Sequence, residues 1–358
     1  MLSQTLKESF LSIIRLGIGH SGEYMSSEYD WNAIEALSAE QGLSAIMIDG
    51  IERIPDSKRP PKEFLLNWIG NVLQSYEYRY EAYRKTIAEL AAWYNSHGLK
   101  MMVLKGYVCG LDWPKPEHRP CGDIDIWQFG KQKEADEVLA REKGIQVDNS
   151  RHHHTVYTWR DFTVENHYDF LNVHHHKSNV EIEAILKELG KDDTHYVELY
   201  GEKVYIPSPN LHALFLLRHS MSYFASTGFT IRHLLDWAFF VENNTKEIDW
   251  EWLEGVLEKY GMKKLFDVFN AICVGDFGFD VNIFPKVQLD PSLKDRVLND
   301  ILSPEFSAIE KGGFIRRAIY KYRRWKSNAW KHELCFSESM WSAFWSGVKS
   351  HILKPSSI

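Results

Sequence analysis

Residues 104–127 constrain the fold of this chain more than any other stretch. They place a glycine turn, at Gly106, directly after an apolar run, and then a second strand that reads Asp-Ile-Asp-Ile. Side chains two residues apart on a strand point to the same face, with Cα atoms roughly 6.6 Å apart. We therefore expect Asp123 and Asp125 to point outward together and Ile124 and Ile126 to enter a core.

The paired aspartates predict a metal site. Two carboxylates side by side repel each other unless a cation lies between them. Oxygen ligands of this kind suit Mg²⁺, which takes one or two carboxylates and completes its shell with waters and substrate phosphates. A glycine at a strand-to-helix turn lets the backbone approach a phosphate, and Lys105 supplies a point charge beside it. We interpret Asp123 and Asp125 as ligands of Mg²⁺ or Mn²⁺, with Lys105 and Gly106 on the phosphates of a nucleotide.

Glu165 is the candidate for a third carboxylate, which would complete a two-metal site. Alternating residues predict a hairpin of two strands, 152–159 and 162–170. Glu165 and His167 share one face of the second strand. Glu165 therefore meets the aspartates if that strand lies beside 123–127.

At these residues the chain resembles nucleotidyltransferases of the polymerase-β type and, more narrowly, the uncharacterised nucleotidyltransferase family. The hallmark of that family is a hydrophobic-Leu-Lys-Gly run followed by Arg-x-x-Gly-Asp-Ile-Asp, which residues 103–106 and 119–125 match. A Val-Glu-Leu-His-type strand follows in the family, and residues 164–167 read Val-Glu-Asn-His. The family also has a later helix that carries a histidine, followed by a helix with an Arg-x-x-x-Asp motif. Arg-His at 218–219 and Arg-His-Leu-Leu-Asp at 232–236 resemble these two motifs.

The resemblance, which runs over roughly 100–240, implies metal-dependent transfer of a nucleoside monophosphate from an NTP to an acceptor hydroxyl, with release of pyrophosphate. The nucleotide contacts that it implies are Lys105, Gly106, Tyr107, Arg119 and Gly122, and the possible acceptor-side residues are His167, His219, Arg232 and Asp236. Tyr107 stands where better-characterised nucleotidyltransferases usually have a serine that helps to hold phosphate. A degenerate module that binds a nucleotide or a partner without turnover is therefore the alternative prediction.

Other roles for these polar residues stay open. Arg119 either reaches the triphosphate or forms a salt bridge with an aspartate. His219, Arg232 and Asp236 fall on predicted helices, where a polar network that joins the helices to the core is the alternative to a substrate role.

Helical periodicity surrounds this central region on both sides. It predicts helices at 4–17, 31–43 and 62–95, and again at 179–189, 208–225, 229–243, 249–260 and 263–273. We expect an α+β protein with a small mixed-sheet, nucleotidyltransferase-like core at 98–190. This core is embedded between an N-terminal helical region, 1–97, and a C-terminal helical region, 191–358.

Composition limits the partners. The formal net charge of -7 argues against general nucleic-acid binding, although residues 314–331 carry seven Arg or Lys and no acid. That segment is either the solvated face of an amphipathic helix or a surface for an anionic acceptor, a nucleic acid or a membrane. We expect an acceptor that is a small molecule rather than a protein or RNA, and the oligomeric state stays open.

Four cysteines without a CxxC pair predict reduced thiols and a cytoplasmic protein. The sequence has no apolar run near 20 residues, which predicts that no segment inserts into a membrane.

Two histidine tracts, 152–154 and 174–176, flank the predicted hairpin strand. Histidine is the commonest ligand of transition metals. Consecutive residues on a strand alternate faces, so a tract of three supplies at most two ligands to one site. A histidine-centred metallohydrolase with zinc or iron is accordingly a third hypothesis.

Overall fold

The computed structural model describes residues 2–22, 29–174, 176–226, 228–287, 290–306 and 313–353. Within these residues, helices surround one six-stranded mixed sheet. The predicted fold class, α+β with a small mixed sheet set among helices, is confirmed. None of the described helices combines the length and the apolar character needed to cross a membrane.

The helices follow the predicted periodicity closely. In chain order they are α1 (Gln4–Gly17), α2 (Trp31–Gln41), α3 (Ser44–Ile51), α4 (Lys62–Val72), α5 (Arg79–Ser96), α6 (Gly106–Leu111), α7 (Gln132–Lys143), α8 (Lys177–Leu189), α9 (Pro209–Ala225), α10 (Ile231–Asn244), α11 (Trp250–Lys259), α12 (Lys263–Phe277), α13 (Pro291–Leu302), α14 (Phe314–Ser327), α15 (Ala329–Cys335) and α16 (Met340–Leu353). A π-helical segment, Leu73–Tyr78, joins α4 to α5, so the predicted helix at 62–95 is continuous but not α-helical throughout.

The sheet combines parallel and antiparallel pairs. Its strands are β1 (Met102–Val103), β2 (Ile124–Trp127), β3 (His154–Trp159), β4 (Phe162–His167), β5 (Tyr196–Leu199) and β6 (Glu202–Tyr205), in the spatial order β3-β4-β2-β1-β6-β5. The pairs β1–β2, β3–β4 and β5–β6 are antiparallel, whereas β2–β4 and β1–β6 are parallel. The strand that carries Glu165 therefore lies directly beside the strand that carries Asp125.

The sequence analysis missed the β5–β6 hairpin, so the sheet extends beyond residue 190. Each of its strands has only four residues, and the side chains of β5 alternate between half-buried and exposed until Leu199. The pattern is therefore too short and too polar to predict a strand by alternation. Tyr200 and Gly201, between the strands, have φ values of 52° and 83°, the positive signs of a type I′ turn. The division of the chain into three regions otherwise stays a prediction.

Both faces of the sheet are covered, and this decides the environment of the site. On one face, Val103, Ile124 and Ile126 pack in one hydrophobic cluster with residues of α5. On the other face, Trp127 stacks on Phe170 with 4.5 Å between ring centroids. Phe170 in turn packs edge-on against Phe215 of α9. Polar side chains on this second face are consequently buried beneath helices.

Candidate functional site

Strand register assembles four polar side chains on one face of the sheet. Asp125 of β2 pairs with Glu165 of β4, and His154 of β3 pairs with His167 of β4. Directly opposite residues on neighbouring strands project to the same side, and Glu165 and His167 are two residues apart on one strand. We call this surface, formed by Asp125, Glu165, His154 and His167, the carboxylate–histidine face.

The side chains of this face are in close contact. His167 Nε2 lies 3.0 Å from Asp125 Oδ1 and 3.8 Å from Glu165 Oε2, and His154 Nε2 lies 3.5 Å from Glu165 Oε1. Asp125 is only 4% exposed. The expectation that both aspartates point outward is therefore wrong for Asp125, because helices cover this face as well as the opposite one. The expected meeting of Glu165 with Asp125 is present.

Lys105 follows β1 and occupies the other side of Asp125. Its Nζ lies 2.7 Å from Asp125 Oδ1, the same oxygen that contacts His167. Burial opposes the charge of the ammonium, but the Asp125 carboxylate outweighs burial and raises the pKa of Lys105 above its usual value. Burial likewise opposes ionisation of Asp125, and the Lys105 ammonium and the His167 hydrogen bond nevertheless lower the pKa of Asp125. The lysine and this aspartate are therefore both charged.

The backbone of Lys105 is strained. Its φ is 34° and its ψ is -131°, a combination that L-residues rarely adopt and that costs roughly 1–3 kcal/mol. Gly106 follows at the start of α6, and a Cβ there would lie 2.7 Å from the Tyr83 hydroxyl. That hydroxyl donates a hydrogen bond to the backbone carbonyl of Asp123 (2.7 Å). Close packing of the turn against Tyr83 of α5 thus favours glycine at this position.

Asp123 lies at the exposed edge of the site. Its side chain falls outside the group of Asp125, Glu165 and His167, whose ligand atoms all lie within 4.8 Å of one another. It is nevertheless close enough to act on Glu165, since burial first and then the Asp125 and Asp123 carboxylates raise the pKa of Glu165 to about 7. Asp125 and Glu165 thus belong to the convergent group, and Asp123 acts on it from its exposed edge.

This donor set fits a divalent cation. Two carboxylates and one imidazole nitrogen converge within 4.8 Å in the described part of the chain. Burial first and then the charges of Asp125 and Asp123 raise the pKa of Glu165, and a bound cation would relieve the repulsion between these carboxylates. The set differs from the oxygen-only pair that was predicted, because Glu165 and His167 take the place next to Asp125 and Asp123 stands at the edge.

Two of the predicted nucleotide contacts lie apart from this group. The Tyr107 side chain is buried in the hydrophobic cluster beneath the opposite face, near Tyr80, with 6.5 Å between ring centroids. Its hydroxyl interacts with Arg84. Gly122 is exposed in the loop before β2, and no atom lies within 4 Å of the position that its Cβ would take. Neither residue contacts the carboxylate–histidine face through a side chain.

Arg119 and Asp236 form a buried ion pair. The guanidinium donates from Nε to Asp236 Oδ1 (2.7 Å) and from Nη2 to Oδ2 (2.9 Å). Trp113 Nε1 donates to the same carboxylate at 2.9 Å. Of the two alternatives for Arg119, the structure has the salt bridge with an aspartate. Asp236 belongs to a network between α10 and the loop before β2. This favours a structural role over the acceptor-side role predicted for Asp236 and over the nucleotide contact predicted for Arg119.

His219 of α9 contacts the lysine of the site. Lys105 Nζ lies 3.2 Å from His219 Nε2. Burial and then the Lys105 ammonium hold the pKa of His219 well below its usual value. The neutral imidazole therefore accepts a hydrogen bond from Lys105, and His219 orients the lysine from the helical side.

Arg232 borders a cleft beside the site. The cleft has a volume of about 300 Å³. The residues that line it are Ala39, Glu40, Gly42, Pro120, Cys121, Gly122, Thr230 and Arg232. Gly122 directly precedes Asp123, so this cleft opens next to the exposed edge of the carboxylates. Arg232 is the one predicted acceptor-side residue that lines it.

Comparison with known proteins identifies the family. The model of the uncharacterised nucleotidyltransferase family matches residues 27–274, well over half of the chain. This chain belongs to that family. The match includes all six strands and every predicted site residue. The predicted resemblance is thereby confirmed.

Matches to individual proteins are few. No curated protein matches this chain. Among solved structures, the crystal structure of an antigenic nucleotidyltransferase-like protein from Paracoccidioides brasiliensis is similar to it, with a TM-score of 0.34 and 14% sequence identity over 49% of this chain and 85% of that chain.

The sequence analysis did not place the histidines of the first tract in the nucleotidyltransferase site. His153, His154 and His167 form a second group whose ligand atoms lie within 4.8 Å of one another. Burial and the neighbouring His167 lower the pKa of His153 to about 2 and that of His154 to about 3. The signal was present in the hairpin, because a two-residue turn at Arg160-Asp161 fixes His154 opposite His167.

The second tract does not join this group. His174 is exposed and packs near His152, with 5.0 Å between ring centroids. His176 stacks on Phe336 at 3.7 Å. His175 lies outside the described residues. Among the described residues, only the first of the two tracts therefore has histidines beside His167 and the carboxylates.

Proposed function

We propose that this chain is a metal-dependent nucleotidyltransferase that moves a nucleoside monophosphate group from an NTP to a hydroxyl of a small-molecule acceptor and releases pyrophosphate. The observation that carries the proposal is the pairing of Asp125 with Glu165 across β2 and β4, which brings a carboxylate oxygen of each within 4.8 Å of the other, with Lys105 on one oxygen of Asp125. Membership of the family supports the class of reaction. All four cysteines are free of disulfides, which supports a cytoplasmic location.

Asp125 and Glu165 would hold the divalent cation, Mg²⁺ or Mn²⁺, and Asp123 would reach it from the exposed edge. Such a cation orients the phosphates and offsets the charge that develops during transfer. Glu165, on the far side from Lys105, aligns the acceptor hydroxyl. The burial of Asp125 keeps water away from its carboxylate, so charges at this face interact more strongly than they would in solution.

Lys105 holds the β- and γ-phosphates in this proposal. Its ammonium is charged and contacts a carboxylate that a cation would also neutralise. His219 keeps the lysine at the end of β1 from the other side. Once the charge of Asp125 is shared with a cation, the ammonium is available to phosphate oxygens, for which a lysine is a suitable point charge.

The cleft beside Asp123 supports a small acceptor. Its volume of about 300 Å³ lies at the lower end of the range for small-molecule sites, roughly 300–1,000 Å³. Arg232 contributes a positive charge to its wall and Glu40 a negative one, and no carboxylate of the described residues forms a salt bridge with Arg232. A small hydroxyl-bearing molecule with polar groups fits this lining.

The test measures pyrophosphate released from each of the four NTPs, with Mg²⁺ or Mn²⁺, in the presence of pooled hydroxyl-bearing small molecules. We expect release by the wild type with one or more NTPs, and none by Asp125→Asn or Glu165→Gln. Asp161→Asn, which changes an exposed acid in the β3–β4 turn, is the matched control and should behave as wild type. Equal release by all four proteins would contradict the assignment of the site.

A binding module without turnover is the second candidate, and the position of Tyr107 favours it. The side chain after Gly106 is buried beneath the opposite face, so no hydroxyl stands where related enzymes usually have a serine. This candidate predicts metal-dependent binding of an NTP, measured by calorimetry, with no pyrophosphate released for any acceptor. Release above the Asp125→Asn background would exclude it.

A further inference from the structure

Three imidazoles meet at the β3 side of the carboxylate–histidine face. His154 lies opposite His167 across the hairpin, and His153 directly precedes β3. The ring centroids are 5.1 Å apart for His154 and His167, 5.5 Å for His153 and His167, and 4.3 Å for His153 and His154. One ligand atom from each ring lies within 4.8 Å of the other two. Three donors at this spacing can converge on one ion after small side-chain rotations.

The hydrogen bonds of His167 decide which of its nitrogens could bind an ion. Its Nδ1 donates to the backbone carbonyl oxygen of Asp169 at 3.1 Å. Its Nε2 points toward Asp125 Oδ1, at 3.0 Å, and an ion bound to Nε2 would take the place of the hydrogen in that bond. A backbone bond of this kind commonly fixes the tautomer and the orientation of a metal-bound histidine. Nε2 also faces Asp125 and Glu165, so it belongs to both groups of donors.

The other two rings have unpaired nitrogens. The Nδ1 atoms of His153 and His154 are buried and have no hydrogen-bond partner among the described residues. His154 is only 7% exposed. Buried polar atoms are normally paired, so two such atoms side by side require an explanation. Packing alone does not supply one, because apolar residues at these positions would fill the same space without unpaired nitrogens.

We propose that His153, His154 and His167 bind one first-row transition-metal ion of the Zn²⁺ type, held against the β3 side of the carboxylates. Three imidazoles that leave a further position open are a common arrangement in zinc sites. Nitrogen donors favour transition metals, whereas Mg²⁺ prefers oxygen. The proposal goes beyond the nucleotidyltransferase reaction, which needs only the carboxylates.

Sharing of His167 has a consequence for metal selection. Because Nδ1 is bonded to a backbone carbonyl, only Nε2 can bind an ion, and it can bind one ion at a time. An ion held by His167 together with His153 and His154 has nitrogen donors, which favour a transition metal over Mg²⁺. Asp125 and Glu165 then stay available as the oxygen ligands of the transferase reaction.

The experiment titrates metal-free protein with Co²⁺, whose visible absorption reports nitrogen ligands and a low coordination number, and then displaces it with Zn²⁺. We expect one equivalent to bind, with no displacement by excess Mg²⁺. In His153→Gln/His154→Gln the affinity should fall by more than about 100-fold, because loss of an outer-shell partner alone costs roughly 10–100-fold. His152→Gln/His174→Gln, from the neighbouring histidines outside the group, is the matched control and should bind as wild type.

The proposal is overturned if the first double variant binds Co²⁺ as tightly as wild type, or if equimolar Mg²⁺ displaces the cobalt. Because His154 is buried, its substitution also tests folding, so X-ray absorption of the zinc-loaded wild type provides a measurement without variants. Three imidazole ligands are expected, and fewer than three would overturn the proposal.

These results are independent of the proposed transferase function. Co²⁺ binding is measured without nucleotide, so histidine-dependent binding together with absent pyrophosphate release would refute only the transferase function. Pyrophosphate release by a wild type that binds no cobalt would refute only the histidine metal site.

Discussion

Two buried polar clusters of this protein differ in how completely their groups are paired. In the first, Arg119 and Trp113 place three donors on the two oxygens of Asp236. In the second, the carboxylate–histidine face, Asp125 and Glu165 lie side by side and two neighbouring imidazoles have unpaired nitrogens. Both clusters are at least largely buried, and both connect the sheet region to helices.

The difference separates a structural role from a functional one. A buried charge is tolerated when a matching charge and hydrogen bonds surround it, as they do around Asp236. The carboxylate–histidine face has an excess of acceptors, and burial together with like charges raises the pKa of Glu165 to about 7. Folding alone gains little from such a face. It becomes favourable when a cation supplies the missing partner.

The largest expected effect concerns the paired cluster. Arg119→Met leaves Asp236 buried and uncompensated, so it should lower the free energy of unfolding by about 3–5 kcal/mol. The double variant Arg119→Met/Asp236→Leu should recover most of this loss. Denaturant unfolding measures both, with Glu188→Gln, from an exposed ion pair with Lys191, as a control that changes stability by less than about 1 kcal/mol. If Arg119→Met lowered the free energy of unfolding no more than this control does, the Arg119–Asp236 pair would not have the structural role that distinguishes it from the carboxylate–histidine face.

Lys105→Met should mainly affect the reaction. It removes the charge that we assign to the phosphates, and loss of one such electrostatic group lowers kcat by about 10²–10³-fold. Stability should change less than in Arg119→Met, because His167 still contacts Asp125. Steady-state pyrophosphate release and denaturant unfolding test both parts. A large loss of stability with an unchanged kcat would assign Lys105 to the structural cluster.

Glu183 gives a prediction for pH. It is buried and accepts hydrogen bonds from the backbone amides of Phe170 and Leu171, and burial raises its pKa to about 7. The native state therefore keeps a proton that the unfolded state releases from about 4.5 upward, so stability should fall as pH rises from 4.5 to 7, by at most about 3 kcal/mol.

Glu183→Gln should flatten that part of the stability curve, as measured by denaturant unfolding at several pH values. An identical slope in the variant would show that another group causes it. Because Glu183 holds the chain just after β4, this result also bears on how firmly the carboxylate–histidine face is positioned.

The smallest expected effect is that of Tyr107→Phe. The ring is buried beneath the opposite face of the sheet and would remain there, so stability should change by about 0.5–1.5 kcal/mol through loss of the hydroxyl contact. Nucleotide-induced thermal stabilisation should be unchanged. A loss of nucleotide binding in this variant would place Tyr107 in the site after all.

Local patterns were enough to predict much of the fold. Helical periodicity located most helices, including the long one that ends at Ser96, and alternation located β2, β3 and β4. The β5–β6 hairpin was not predicted because its strands are short and largely polar, although Gly201 between two alternating runs was a usable signal. The burial of Asp125 was not predicted because alternation shows which residues share a face and does not show whether helices cover that face.

The candidate site was predictable only where local register determines it. The pairing of His154 with His167 follows from the two-residue turn of their hairpin. The salt bridge of Arg119 with Asp236 joins residues 117 positions apart, and no spacing rule selects between that aspartate and a nucleotide. Likewise, the lysine beside Gly106 suggested a phosphate contact, whereas its ion pair with Asp125 depends on the order of β1 and β2 in the sheet.

One measurement tests the central claim most directly, namely that Asp125 and Glu165 form a cation-dependent nucleotide site. Thermal unfolding would be followed with each of the four NTPs in Mg²⁺, in Mn²⁺ and in EDTA, for the wild type, Asp125→Asn/Glu165→Gln and the control Asp161→Asn. We predict stabilisation by at least one NTP that requires the metal, is lost in the double variant and persists in the control. Stabilisation that survives EDTA, or that the double variant retains, would contradict the claim.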